Sequence, residues 1–160
     1  MIRLVVFDFD GVLVESVDIK TRAYALLFEA EGKDVVRQII DHHIKHGGTS
    51  RFEKIKLFYK DILQRPISEE LLRTLCVRFS QLVIDAVIAA PWVEGAKNFL
   101  VRHKKNYTFI VVSGTPEDEL EEIIQRRDMG CFFDSVRGSP KDKISHLNEI
   151  MYEYHLKPEE

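Results

Sequence analysis

Two cysteines are all that the 160 residues contain, and Cys76 and Cys131 stand isolated and far apart. That spacing offers neither a disulfide framework nor a thiolate metal site; it suits a reducing, cytoplasmic setting in which both are core filler. Long apolar runs are missing too. The most apolar later stretch, Leu82 to Val93, is short and broken by Asp85 and Pro91, so it cannot span a bilayer. Nor does one sign of charge dominate: 23 basic against 26 acidic residues leave a net charge of −3, with no basic field for nucleic acid or an anionic membrane. Any preference for an anion must therefore be local. The N-terminus runs directly into an apolar stretch without a basic segment or cleavage site, which argues against a secretion signal. There is no internal repeat and no low-complexity segment. The composition is that of a globular protein of one domain, or of one domain carrying an insertion.

What the chain does have is concentrated at its start. Leu4-Val5-Val6-Phe7 reads as a buried strand, and it ends in Asp8-Phe9-Asp10-Gly11, two carboxylates one residue apart followed by a glycine. Like charges at a strand end repel and resist desolvation, so the natural tenant is a cation, with a phosphate next to it. A calcium loop is excluded, because the sixth and twelfth positions lack glycine and glutamate and the loop runs apolar.

Downstream, helical spacing predicts a helix capped by Ser16 and running to about Glu31, then helices over Asp34 to Ile44, Arg51 to Leu63 and, capped by Ser68, Glu69 to Ala89. No strand pattern appears there. A helical block of that length is too long for a single crossover and reads as a subdomain, residues 16–91, inserted after the first strand. Pro91 to Gly95 is the return linker, followed by a helix from Ala96 to His103 and a strand from Tyr107 to Val112 that stops at Ser113-Gly114-Thr115. A third apolar piece, Cys131-Phe132-Phe133, leads to Gly138-Ser139-Pro140, where Ser139 is expected to cap a last helix presenting Ile144, Leu147, Ile150, Met151 and Tyr154 on one face. Alternating strands and helices imply an α/β fold with a Rossmann-like parallel sheet, residues 1–15 and 92–160, whose ligands sit at the carboxyl ends of the strands. All three polar clusters fall at that edge.

Asp8-Phe9-Asp10-Gly11-Val12-Leu13 resembles the first motif of the haloacid dehalogenase superfamily. The resemblance implies a phosphatase in which Asp8 is the nucleophile and Asp10 the general acid/base, with magnesium held by the Asp8 carboxylate and the Asp10 carbonyl. An acid at the second position favours phosphoryl transfer over dehalogenation, since an alkoxide leaving phosphorus needs a proton. Ser113 and Gly114 resemble the second motif, donors to phosphate oxygens. A lysine at the start of the last helix resembles the third; Lys143 is preferred and Lys141 is the alternative. Gly48-Thr49-Ser50-Arg51 resembles the cap loop of β-phosphoglucomutase-like members, which would let Arg51, helped by Lys54, grip a second charged group. His42 and His46 have metal-capable spacing but no evident third ligand.

Two positions depart from the pattern. Glu15 stands where many relatives have aspartate. The fourth motif, a Gly-Asp pair with another acid, has no counterpart after Lys143, so the sheet is expected to be incomplete, lacking the strands beyond residue 160. The chain is then expected to be a shortened form of a longer enzyme, binding magnesium weakly, turning over slowly and self-associating through an open first strand. The resulting expectation is magnesium-dependent hydrolysis of a small phosphorylated metabolite, with a sugar-phosphate mutase and a non-catalytic remnant as alternatives.

Overall fold

The computed structural model describes residues 4–156. Strands β1 (Leu4–Phe7), β2 (Thr108–Pro116) and β3 (Ser135–Ser139) form one parallel sheet in the order β1-β2-β3, so β1 lies at an edge of the described sheet. Val6 pairs with Ile110 and Phe7 with Val111, while Val112 and Pro116 bracket an irregularity in the pairing with β3. That irregularity carries Ser113, Gly114 and Thr115 inside β2, where the sequence pattern ends the strand at Val112.

Between β1 and β2 the described chain is helical: α1 (Val17–Leu27), α2 (Lys33–Lys45), α3 (Arg51–Leu57) continued by a π-helical turn at Phe58–Ile62, α4 (Glu69–Ala89) and α5 (Ala96–His103). The caps explain several of the boundaries. Ser68 accepts from the Leu71 amide at 3.1 Å and Ser50 from the Glu53 amide at 3.3 Å, satisfying first-turn donors of α4 and α3. At the other end of α4, the Arg127 guanidinium donates to the carbonyls of Val87, Ile88 and Ala90 at 2.6–2.8 Å, a cation placed where the helix dipole favours one. The two connections to the block lie side by side, with the Glu15 amide on the Pro91 carbonyl and the Val93 amide on the Leu13 carbonyl, both at 3.0 Å.

Three expectations are corrected. Ser16 precedes α1 but makes no capping bond, because its hydroxyl is used elsewhere. Cys131-Phe132-Phe133 is not a strand: Gly130–Phe132 is a 3-10 turn, and the pairing with β2 falls on the more polar Ser135–Ser139. The last helix, α7 (Lys143–Glu153), begins later than expected; Asp142 caps it, accepting from the Ser145 amide at 3.0 Å and the Ser145 hydroxyl at 2.6 Å. Between them, α6 (Glu117–Arg126) follows β2 with Pro116 at its cap position.

Alternation along β2 divides the core. Phe109 and Val111 join a large cluster that continues into the helical block through Phe9, Leu13, Tyr24, Phe58 and Phe79. Each fully buried phenylalanine there contributes about 2–3 kcal/mol relative to exposure. Ile110 and Val112 face the other way, against Ile150 of α7, with Leu4 and Val6 half-covered. That second layer is thin: Ile144 is 71% and Leu147 39% exposed, so of the expected apolar face of α7 only Ile150 is buried.

Candidate active site

The strand ends bring the acidic pair against two lysines. β1 delivers Asp8, whose Oδ1 accepts from the Phe9 amide at 2.8 Å and whose Oδ2 pairs with Lys143 Nζ at 2.7 Å. Lys143 opens α7, so the turn after β3 aims it back across the sheet edge. Lys141 does not compete. It lies on the surface, bonded to Glu149 at 2.6 and 2.8 Å.

Asp10 has its own partners. Ser16 donates to its Oδ1 at 2.6 Å, and Lys20, one helical turn further along α1, donates to its Oδ2 at 2.6 Å and to Thr115 Oγ1 at 2.9 Å. Burial alone would raise the proton affinity of Asp10. The Lys20 charge and hydrogen bond, the Ser16 hydroxyl and the charge of Lys143 together outweigh it and hold the carboxyl below the usual range, ionised. Gly11, at φ +71°, turns the chain tightly enough for its amide to reach the Val14 carbonyl at 2.8 Å.

The loop before α3 closes over this pair. A Cβ on Gly48, which sits at φ +78°, would lie 2.9 Å from Lys143 Nζ, and one on Gly114 would lie 2.6 Å from the Gly48 carbonyl oxygen. Only glycines allow the helical block to approach the strand ends this closely. Beneath the loop is a cavity of about 180 Å³ lined by Asp8, Asp10, Lys20, His43, Arg51 and Lys54 among others. Gly114 shares this cavity. Ser113 does not: it is fully buried, it bonds Thr115 within its own strand, and it borders a neighbouring recess on the Lys143 side of Gly48.

Arg51 lines the cavity, but its guanidinium is committed. It donates to Ser80 and, at 2.5 Å, to Glu119 of α6, and it lies 4.8 Å from the Phe79 ring centroid. Ser80 in turn donates to the other Glu119 oxygen at 2.6 Å. Arg51, expected to grip a second charged group, here ties α3 and α4 to α6. Lys54, buried to 3% exposure, donates to His43 Nδ1 at 2.8 Å and to the His43 carbonyl at 3.3 Å. Burial and the charge of Lys20 pull its ammonium down to about 8, and burial with the Lys54 charge pulls His43 down to about 4.

His42 and His46 stack 4.1 Å apart, and among the described residues no group of three or more His, Cys, Asp and Glu is placed to hold a metal ion. The available oxygen donors are the Asp8 and Asp10 carboxylates and the backbone carbonyls beside them. That set fits magnesium in its loosest protein-bound form, in which one or two carboxylates hold the ion and water and phosphate oxygens complete it. Lys20, His43 and Glu119 were not anticipated from sequence. For Lys20 a signal existed, its placement four residues after Ser16 on a helix leaving the acidic loop.

The haloacid dehalogenase-like hydrolase family model matches residues 2–159. A sequence search among curated proteins finds no match. Among solved structures, a candidate β-phosphoglucomutase from Bacteroides vulgatus is similar at TM-score 0.78 and 17% identity, covering 99% of this chain and 65% of that one. A predicted phosphoglycolate phosphatase from Haemophilus somnus gives 0.70 and 15%, covering 98% and 73%. The magnesium-bound hydrolase YfnB from Bacillus subtilis gives 0.60 and 16%, covering 86% and 65%. At these identities the likeness is one of fold. No described helix is long and apolar enough to cross a membrane.

Proposed function

The chain belongs to the haloacid dehalogenase-like hydrolases, and from that premise we propose that it hydrolyses small phosphate monoesters through a covalent phosphate on Asp8. The observation that carries this reading is the ion pair of Asp8 with Lys143 at 2.7 Å, beside Asp10, at the carboxyl end of β1. Lysine holds the nucleophile in its anionic form and offers a compact charge to the phosphate oxygens that approach it.

In the first step an Asp8 oxygen bonds to phosphorus while the ester P–O bond breaks and Asp10 gives its proton to the departing oxygen. In the second, Asp10 takes a proton from water, the resulting hydroxide bonds to phosphorus, and the Asp8–phosphorus bond breaks to release inorganic phosphate. In the free site Lys20 and Ser16 hold Asp10 ionised, so the proton it gives in the first step is one it takes up from solvent or from the substrate monoanion as the phosphate binds. A phosphate dianion arriving beside it raises its proton affinity and prepares it to act as the acid. The Asp8 carboxylate and the Asp10 carbonyl are the groups that would hold magnesium, which when bound neutralises charge on the transferring phosphoryl group.

The cavity beside Asp8 and Asp10, about 180 Å³ and open to solvent, can receive a small phosphate monoester. Phosphate release from ethyl phosphate with magnesium tests the reading. The unmodified chain is expected to turn over, and Asp8→Asn to lose at least about 10⁴-fold in kcat. An Asp8→Asn protein that keeps its activity overturns it.

A further inference from the structure

Lys54 is an ammonium in the wrong surroundings for a structural group. It is 3% exposed, it lines the cavity that holds Asp8 and Asp10, and among the described residues no carboxylate lies within ion-pair distance of it. Buried charges are normally paired. An ammonium has three protons, and Lys54 directs two hydrogen bonds to His43, one to Nδ1 and one to the backbone carbonyl, leaving one proton without an acceptor.

His43 repeats the pattern. Because its Nδ1 accepts from Lys54, the neutral ring carries its proton on Nε2, and that buried Nε2 has no hydrogen-bond partner. The ring is held in place, 4.8 Å from Tyr24 and bonded to Lys54, so the orphan donor is fixed in position. One cation and one N–H, both lining one small cavity and both short of an acceptor, are complementary to an anion.

We propose that Lys54 and His43 form a second anion subsite, and that the substrate is a compact phosphate monoester carrying a further negative group, a carboxylate above all, on its short carbon chain. This rests on the reading of Asp8 as the phosphate-accepting residue. The phosphate takes the Asp8 end of the cavity, where Lys143 pairs with that carboxylate from the neighbouring recess, and the second anion takes the Lys54 end. Arg51 is not the recognition group, since Glu119 and Ser80 occupy its guanidinium. Both ends lie within one cavity of about 180 Å³, which favours a short spacer between the two anions.

The test uses two probes on the same two-carbon chain, 2-phosphoglycolate and 2-hydroxyethyl phosphate, which present a carboxylate against a neutral alcohol. Calorimetry on the non-hydrolysing Asp8→Asn chain with magnesium is expected to show 2-phosphoglycolate binding about 10- to 100-fold more tightly, the range for a hydrogen bond to a charged group. Adding Lys54→Met should bring the two affinities together by weakening only the carboxylate probe. A second measurement keeps Lys54 intact: the His43 imidazole ¹⁵N resonances should report an Nε2–H tautomer and shift with 2-phosphoglycolate but not with 2-hydroxyethyl phosphate. Equal affinities for the two probes, with His43 unmoved by either, overturn the subsite while leaving the phosphatase reading intact. Failure of both probes to bind overturns both.

Discussion

The two walls of the cavity carry their charges differently. On the sheet side each carboxylate meets a lysine within one hydrogen bond, Asp8 with Lys143 at 2.7 Å and Asp10 with Lys20 at 2.6 Å. On the helical side two cations stand three residues apart on α3 with almost the same burial, Arg51 at 4% and Lys54 at 3%. One is neutralised by Glu119; the other meets only an imidazole and a carbonyl. Paired charges fix geometry, whereas an unpaired buried charge costs stability and is retained where a ligand completes it. The contrast between Arg51 and Lys54 therefore separates scaffold from recognition on a single helix.

The largest expected effect comes from breaking the paired member. Glu119→Ala leaves the Arg51 guanidinium buried without its carboxylate and should cost about 3–5 kcal/mol in urea denaturation, loosening α6 from α3 and α4. Replacing both partners together, Arg51→Met with Glu119→Leu, should recover most of that loss. A single mutant destabilised by less than about 1 kcal/mol would mean that the pair is not structural.

On the sheet side, Lys20→Met removes the main influence that opposes burial at Asp10. Its pKa, now lowered, should rise, and the acid limb of the pH–rate profile for phosphate release should move to higher pH. The linkage has a matching sign. The Asp10 interaction stabilises the fold above the ordinary carboxylate pKa and is lost as pH falls through the depressed one, so the mutant should lose stability at neutral pH and little in acid. The neutral-pH loss should be about 1.5–3 kcal/mol, the range for a hydrogen bond to a charged group. An unmoved profile would show that Lys20 is a bystander.

How far the sequence carries the same comparison is instructive. Asp8 and Asp10 are legible because a β-branched run ending in two acids and a glycine has few structural uses, and α4 is legible because Ser68 and the following period mark it from Glu69 to Ala89. The third strand is not. Apolar Phe132 and Phe133 look more strand-like than Ser135–Ser139, but pairing with β2 selects the latter, and Gly138 fits there because a Cβ would lie 2.5 Å from Glu117. Ser16 carries a helix-cap signature and uses its hydroxyl on Asp10 instead. Arg51 and Lys54 look interchangeable in sequence; what distinguishes them is that α6 brings Glu119 to one and nothing acidic to the other. That is tertiary information, and no local pattern encodes it.

The smallest effect is the most discriminating, because its sign is unusual. A lysine depressed from 10.5 to about 8 corresponds to roughly 3 kcal/mol of cost at neutral pH. Lys54→Met removes that cost but leaves His43 Nδ1 without its donor, which returns about 1–3 kcal/mol. The net expectation is a gain of about 1 kcal/mol at pH 7, seen as a higher melting temperature in a chain that has lost its grip on the second anion. The pH dependence checks the cause. The folded state of the unmodified chain releases the Lys54 proton near 8, before the unfolded state does at 10.5, so its penalty is complete below 8 and is shed between those values. The mutant's advantage should therefore shrink as pH rises through that window; Lys20, Asp10 and Lys143 are the charges that act on Lys54, His43 is its hydrogen-bond partner, and Asp8 and Arg51 line the same cavity. A mutant that is destabilised at pH 7, or whose difference from the unmodified chain is flat to pH 10.5, would place Lys54 with Arg51 as scaffold and erase the distinction between the two cations.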